Sequence, residues 1–277
     1  WGHACRSANF ASQTLKAIEP SDDRESMQLP IKQRSTIHHH EAIDPPQGGT
    51  SEDDYRLLNV IGKGGMGVVY SARQSAIDRV VAVKMLKSDD EAKDQSRRRL
   101  FLQEAVVTAD LDHPGIVPVH ELGHNEDGTL FYSMKQVNGE TWSDVIRQKT
   151  EEENLDLLLR VADAIAFAHA RGVVHRDIKP ENVMIGNFGE VWLMDWGLAQ
   201  PMPDYRKSEL TQKQQMGGTP AYMAPEMTQN STQIGPLSDI YLLGATLFEI
   251  VTGSPPHHGE TVLLCLLAAM RNEFVPI

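Results

Sequence analysis

Cysteine is scarce in this chain of 277 residues: only Cys5 and Cys265 occur, and neither has a neighbour at metal-ligand spacing. That argues against a disulfide framework or a zinc site and fits a reducing compartment, so the expected location is cytoplasmic. Long apolar runs are missing as well. The longest, Val262–Met270, is too short to cross a bilayer and is expected to form a buried helix, so no membrane contact is evident in this stretch. An excess of positive charge is also lacking, with 26 basic against 38 acidic residues and a net charge of −12. This balance argues against nonspecific nucleic-acid binding. There is no internal repeat. The first residue is Trp1 rather than Met, which reads as a piece of a longer protein. What is present, 40% hydrophobic and 23% charged residues, is ordinary for a soluble protein and ample for a core.

Residues 1–50 are polar, broken by Pro20, Pro30 and Pro45-Pro46, and carry no sustained period. Gln47-Gly48-Gly49-Thr50-Ser51 reads as a flexible join, so the expected organisation is an N-terminal extension over 1–50 and a folded region over 51–277. His38-His39-His40 has no carboxylate or cysteine pattern to complete a metal site and reads as solvated linker. Strands are expected at Leu57–Ile61, Val68–Tyr70 and Val80–Lys84. Helices are expected from about Ser96 to Asp110 and from Asn154 to Ala170, the second with Leu155, Leu158, Leu159, Ala162, Ile165 and Ala166 along one face. Strands first and mainly helices afterwards point to an α+β architecture rather than alternating βα units.

Three patterns carry chemistry. Gly62-Lys63-Gly64-Gly65-Met66-Gly67 fits Gly-x-Gly-x-x-Gly, which also opens dinucleotide folds. Those folds need a helix directly after the last glycine, whereas Val68-Val69-Tyr70 is strand-like, so here the glycines join two strands. His175-Arg176-Asp177-Ile178-Lys179-Pro180-Glu181-Asn182 is followed by Asp195-Trp196-Gly197. That span offers a candidate base (Asp177), a phosphate-side lysine (Lys179) and two candidate magnesium ligands (Asn182 and Asp195), the set that phosphoryl transfer from ATP to a hydroxyl requires. The third pattern is Gly218-Thr219-Pro220-Ala221-Tyr222-Met223-Ala224-Pro225-Glu226.

Together these patterns resemble the protein kinase superfamily, in the bacterial, eukaryotic-type serine/threonine version, over about residues 55–277. The resemblance implies two lobes, a small antiparallel-sheet N-lobe over about 55–137 and a mainly helical C-lobe over about 138–277 that lacks its last helices. It implies that ATP rests under Ile61, Gly62, Lys63, Gly64, Gly65, Met66 and Gly67. Lys84, in Val81-Ala82-Val83-Lys84, would hold the phosphates and pair with Glu104 on the following helix. Leu130–Val137 resembles the strand and hinge that receive adenine, with Met134 as gatekeeper and the backbone of Lys135 and Val137 at the adenine edge. Val69, Ala82 and Met184 would sandwich the ring. Gly218–Glu226 is similar to the segment that shapes the peptide groove, and Ser238–Gly244 to the buried helix whose aspartate steadies the catalytic loop.

The pattern departs in three places. Trp196 stands where phenylalanine is usual, and its indole N–H wants a partner. Gln215 replaces an often phosphorylated threonine, leaving Thr211 as first candidate for a regulatory phosphate paired with Arg176, with Ser208 behind it and Thr219 bonded structurally to Asp177 and Lys179. The family carries an arginine, beyond the position of Ile277, that pairs with the glutamate at Glu226, so Glu226 is expected to lack that partner. The expected function is an ATP- and Mg2+-dependent serine/threonine protein kinase acting on protein substrates. A pseudokinase scaffold and a small-molecule kinase are the rival readings. Intact Lys84, Glu104, Asp177, Asn182 and Asp195 weigh against the first, and Lys179 with the Gly218–Glu226 segment against the second.

Overall fold

The computed structural model describes residues 37–38, 54–87, 91–125, 127–202, 217–229 and 233–276. The chain divides into two compact units: residues up to Arg99 with Val119–Gln136, and Leu100–Pro118 with Val137–Ile277.

The first unit is a sheet. Strands β2 (Tyr55–Lys63), β3 (Gly67–Gln74), β4 (Arg79–Leu86), β5 (Val119–His124) and β6 (Leu130–Lys135) pair antiparallel in the order β2-β3-β4-β6-β5. A two-residue strand, β1 (Ile37–His38), adds in parallel at the β2 edge. All three strand expectations for this region fall inside β2, β3 and β4. Side chains alternate between the faces of a strand, so cross-strand partners share a face. One face carries the core: Tyr55, Leu57, Ala72, Val81, Val83, Met85 and Phe131. The Tyr55 hydroxyl on this face sits 2.8 Å from the buried Ser133 Oγ and donates to Glu121 at 2.7 Å. The other face receives Ala82 and Lys84 of β4, with Val69 opposite Lys84 on β3 and Met134 opposite Ala82 on β6. Alternation along Val80–Lys84 therefore puts Val81 and Val83 in the core and Ala82 and Lys84 on the opposite face.

Helix α1 (Glu91–Asp110) begins five residues before the expected start, and its second half belongs to the other unit. That unit is built on α2 (Trp142–Val145), α3 (Glu151–Ala170), α4 (Pro236–Thr252) and α5 (Val262–Arg271). It also holds two small sheets, β10-β9-β7 (Val191–Leu193, Val183–Gly186, Gly139–Thr141) and β11-β8 (Gln200–Pro201, Val173–Val174). Helix α3 starts at a capping box, in which Thr150 Oγ1 accepts the Glu153 N–H and the Glu153 carboxylate accepts that of Thr150.

The buried stripe of α3 is Asn154, Leu157, Val161, Ala164, Ile165 and Ala168, so of the expected face Ile165 is buried and Leu158 packs against the core, while Leu155, Leu159 and Ala166 are corrected to the exposed side. Leu155 and Leu159 are exposed, at 42% and 64%. The helix has apolar residues around most of its circumference, so choosing the most hydrophobic ones selects the wrong side. Asn154 leads the true stripe because its amide is satisfied, accepting the Trp142 indole N–H at 2.8 Å and donating to the Ile146 carbonyl at 2.9 Å. A second correction concerns α5. It forms where the apolar run lies, yet only Ala268 and Ala269 are buried, while Val262, Leu263 and Leu264 are exposed. Among the described residues no helix is long and apolar enough to cross a membrane. Cys5 and the side chains of His38–His40 lie outside the described residues.

Candidate active site

In the sheet unit the glycine-rich turn is closed by its own backbone. Gly64 N–H donates to Gly67 O at 2.9 Å, Lys87 N–H to Met66 O at 3.1 Å, and Lys87 Nζ to Gly64 O at 3.0 Å. Two of its glycines answer different demands. A Cβ on Gly67 would sit 2.4 Å from Met85 O, so strand pairing itself excludes a side chain there. A Cβ on Gly65 would meet nothing within 4 Å, so no contact in this unit explains the glycine. Ile61 and Lys63 flank the turn on the β2 side, and Met66 is on it. On the same sheet, Lys84 Nζ stands 5.9 Å from the centroid of the buried Tyr132 ring. Met134 and Ala82 are buried, whereas Val69 and Lys135 are partly open.

The helical unit holds the other expected residues: Glu104, buried on α1; Val137; the loop from His175 to Asn182; Met184 on β9, paired with Trp192 and Thr141; and Asp195. The loop is anchored from beneath. Asp239, in the first turn of α4 and fully buried, accepts the His175 N–H on Oδ2 and the Arg176 N–H on Oδ1, both at 2.8 Å. His169 Nε2 on α3 lies 2.8 Å from the same Oδ2. With two amides captured, Arg176 is held at φ +73°, a conformation that costs an L-residue about 1–2 kcal/mol. Burial pushes the Arg176 guanidinium below its usual range, and the Asp239 charge offsets part of this.

Asp177 is the hub of the loop. Its Oδ2 receives the Asn182 Nδ2–H at 2.9 Å and the Lys179 ammonium at 3.0 Å, and its Oδ1 receives the Thr219 hydroxyl at 2.8 Å. Lys179 also donates to Thr219 Oγ1, which closes the Asp177–Lys179–Thr219 triangle expected for Thr219. Asn182 spends its Nδ2 on Asp177, at the side chain and at the carbonyl 2.7 Å away, and keeps its Oδ1 for another group. Asp195 is exposed and held at φ +56°, with the Gly197 N–H 3.4 Å from Oδ1. Among the described residues four non-glycines have positive φ, and two of them, Arg176 and Asp195, adjoin or supply expected catalytic positions. Strain of this kind gathers where function overrides local preference.

Trp196 is 1% exposed, and its ring meets His175 edge-on at 4.5 Å, so the large aromatic fits the core. Its indole N–H finds no acceptor among the described residues. Glu226 accepts the Ser238 hydroxyl at 2.6 Å, so a local donor serves it. Tyr222 donates to Glu249 at 2.6 Å, and burial with the nearby carboxylates pushes its phenol well above the usual range. Sequence reasoning missed Glu249 and His169, which carry no local motif and act only through partners 27 and 70 residues away. Thr211, Ser208 and Gln215 lie outside the described residues.

The family description "protein kinase domain" matches residues 55–272. The chain is 36% identical over 241 residues to the serine/threonine-protein kinase PknD of Protochlamydia amoebophila, covering 76% of this chain and 24% of that protein. It is 39% identical over 230 residues to the probable serine/threonine-protein kinase PknB of Corynebacterium glutamicum, covering 81% and 35%. With serine/threonine-protein kinase PknB of Mycobacterium tuberculosis it shares 35% over 230 residues, covering 81% and 36%. The chain thus spans about a quarter to a third of the length of these relatives. This chain belongs to the protein kinase domain family.

Proposed function

We propose that the protein is a serine/threonine protein kinase that moves the γ-phosphoryl group of ATP to a protein hydroxyl. The observation that carries the reading is the Asp177–Lys179–Thr219–Asn182 cluster. A carboxylate aligned by three donors adjoins a segment with the sequence of a peptide groove. The names of the relatives, all serine/threonine-protein kinases, support the same reaction.

In this reading Asp177 takes a hydrogen bond from the substrate hydroxyl and orients its oxygen. Lys179 balances charge on the transferred group, and Thr219 joins the catalytic loop to the groove. On the sheet unit Ile61 to Gly67 and Lys84 would serve the phosphates, and Val69, Ala82, Met134 and Lys135 the adenine; on the helical unit Glu104, Val137 and Met184 are the residues that the family resemblance assigns to the same nucleotide. The donor set suits Mg2+. Asn182 Oδ1 and the Asp195 carboxylate are hard oxygen ligands, and among the described residues no cluster of three or more His, Cys, Asp or Glu forms an all-protein cage. That matches a small cation that relies on a few protein oxygens and on phosphates. When bound, Mg2+ would neutralise charge on the phosphate oxygens.

The test is incubation of the full-length protein with labelled ATP and Mg2+, beside Asp177→Asn, reading transfer to itself and to a basic protein. Transfer to serine or threonine that disappears in the variant is expected. ATP binding with no transfer would instead establish the pseudokinase scaffold, and transfer only to small metabolites the small-molecule kinase.

A further inference from the structure

The segment Gly218–Glu226 is held at its catalytic end by the Thr219 hydroxyl and on its flank by Tyr222 on Glu249. A third tie comes from a residue outside every motif. The backbone N–H of His257 donates to Ala221 O at 3.1 Å. Any residue at 257 could offer that N–H, so the distinguishing feature is the ring. It is 0% exposed, with Nδ1 2.8 Å from the Glu273 carbonyl and Nε2 2.9 Å from the Tyr241 hydroxyl. A carbonyl oxygen only accepts, so Nδ1 carries a proton. Tyr241 continues to Asn272 Oδ1 at 2.7 Å, and the Phe274 ring packs 5.5 Å from the imidazole. The adjoining Pro256 carbonyl accepts the Val275 N–H at 2.9 Å.

His257 therefore joins three pieces of this unit: helix α4 through Tyr241, the Asn272–Val275 segment after α5, and the groove through Ala221. A phenyl ring would fill the same volume with no orientation to satisfy. A buried imidazole with both nitrogens engaged has one low-energy setting, because turning it strands polar atoms away from water. That setting fixes the main chain at 257, and with it the point where Ala221 O is held.

We propose that His257 is a positioning residue for the protein substrate, setting the groove at Ala221 through its ring anchors. The proposal rests on the kinase reading of Gly218–Glu226. It assigns His257 an effect on how the protein substrate binds and none on nucleotide binding.

The experiment compares steady-state transfer to myelin basic protein by the full-length protein and by His257→Phe, His257→Asn and Tyr241→Phe. Substrate protein and ATP are varied separately, and melting temperatures are measured alongside. His257→Phe keeps the backbone N–H and ring volume but loses both ring bonds. It is expected to raise KM for the protein substrate about tenfold, with KM for ATP within about twofold. His257→Asn, whose amide nitrogen stands near the place of Nδ1, should recover part of this rise. A structural role alone would lower the active fraction, and so kcat, while leaving KM for the protein in place. Unchanged KM in His257→Phe overturns the proposal. If that variant does not fold, Tyr241→Phe decides: a higher protein KM supports the proposal and an unchanged one overturns it. Absence of any Asp177-dependent transfer by the unaltered protein is a separate result, and it removes the kinase reading together with this proposal.

Discussion

Asp239→Asn isolates what holds the catalytic loop. Both carboxylate oxygens are occupied, Oδ1 by the Arg176 N–H and Oδ2 by the His175 N–H, with His169 Nε2 also at Oδ2. Asparagine has a nearly identical shape but only one oxygen. However the amide is turned, an NH2 group faces one of the two buried backbone donors. A hydrogen bond to a charged group contributes about 1.5–3 kcal/mol, and a stranded buried donor costs about 1–3 kcal/mol. These overlap, since the stranded donor is the one that lost its bond, so the expected loss is about 3 kcal/mol. For a domain of this size that lowers the melting temperature by about 6–12 °C. A second effect is local. Arg176 stays at φ +73° because its amide is captured, and once released it returns toward ordinary backbone and displaces Asp177. Activity per folded molecule should therefore fall as well. Urea unfolding measures the first effect, and hydrogen exchange at the His175 and Arg176 amides the second. A variant within about 1 kcal/mol of the parent that kept both amides protected would refute the anchoring argument.

Thr219→Ala removes the hydroxyl between Asp177 and Lys179, and kcat should fall about tenfold or more while Thr219→Ser restores most of it, as steady-state kinetics would show. Gly67→Ala places a Cβ against Met85 O and should lower the melting temperature, whereas Gly65→Ala should leave it unchanged and weaken ATP binding, as calorimetric titration would show. Glu249 has its carboxyl raised, chiefly by burial, so the folded state binds its proton more tightly than the unfolded state does. The linked stability is present below the ordinary glutamate range and is lost as pH rises through the raised value. Glu249→Gln still accepts the Tyr222 hydroxyl, so its stability relative to the parent should grow with pH across that window in pH-dependent melting curves. Trp196→Phe removes a stranded buried N–H worth about 1–3 kcal/mol and opens a void costing about 1 kcal/mol, so urea unfolding should show no net destabilisation.

Much of this protein is legible in its order of residues because the chemistry sits in short stretches. Asp177, Lys179 and Asn182 share one loop, and five residues of chain suffice to bring Asn182 back onto Asp177. The strands around Lys84 are equally local, since β-branched alternation settles which residues face the core and which face the chemistry. Helix facing was less legible. On α3 the leucines at 155 and 159 outbid Asn154 on hydrophobicity, and only the Trp142 indole, which needs an acceptor, makes the asparagine a core residue. The exposure of Val262–Leu264 on α5 was hidden for the same reason, because an apolar run does not say which of its sides the rest of the fold covers.

The sequence by itself determined the family and the short patterns expected to carry its chemistry: a glycine-rich turn between strands, a strand lysine, the Asp177–Asn182 loop, Asp195 and the Gly218–Glu226 segment. These are readable because backbone geometry and donor type act over a few residues. Tertiary structure decided what holds them in place. Resemblance pointed to an aspartate of the Ser238–Gly244 helix and to Thr219, and packing makes those ties across 63 and 42 residues, whereas Tyr222 on Glu249 and His257 on Ala221 follow from no pattern in the chain. The latter ties depend on which buried donors meet which acceptors once the chain has packed, and a linear pattern carries no record of them.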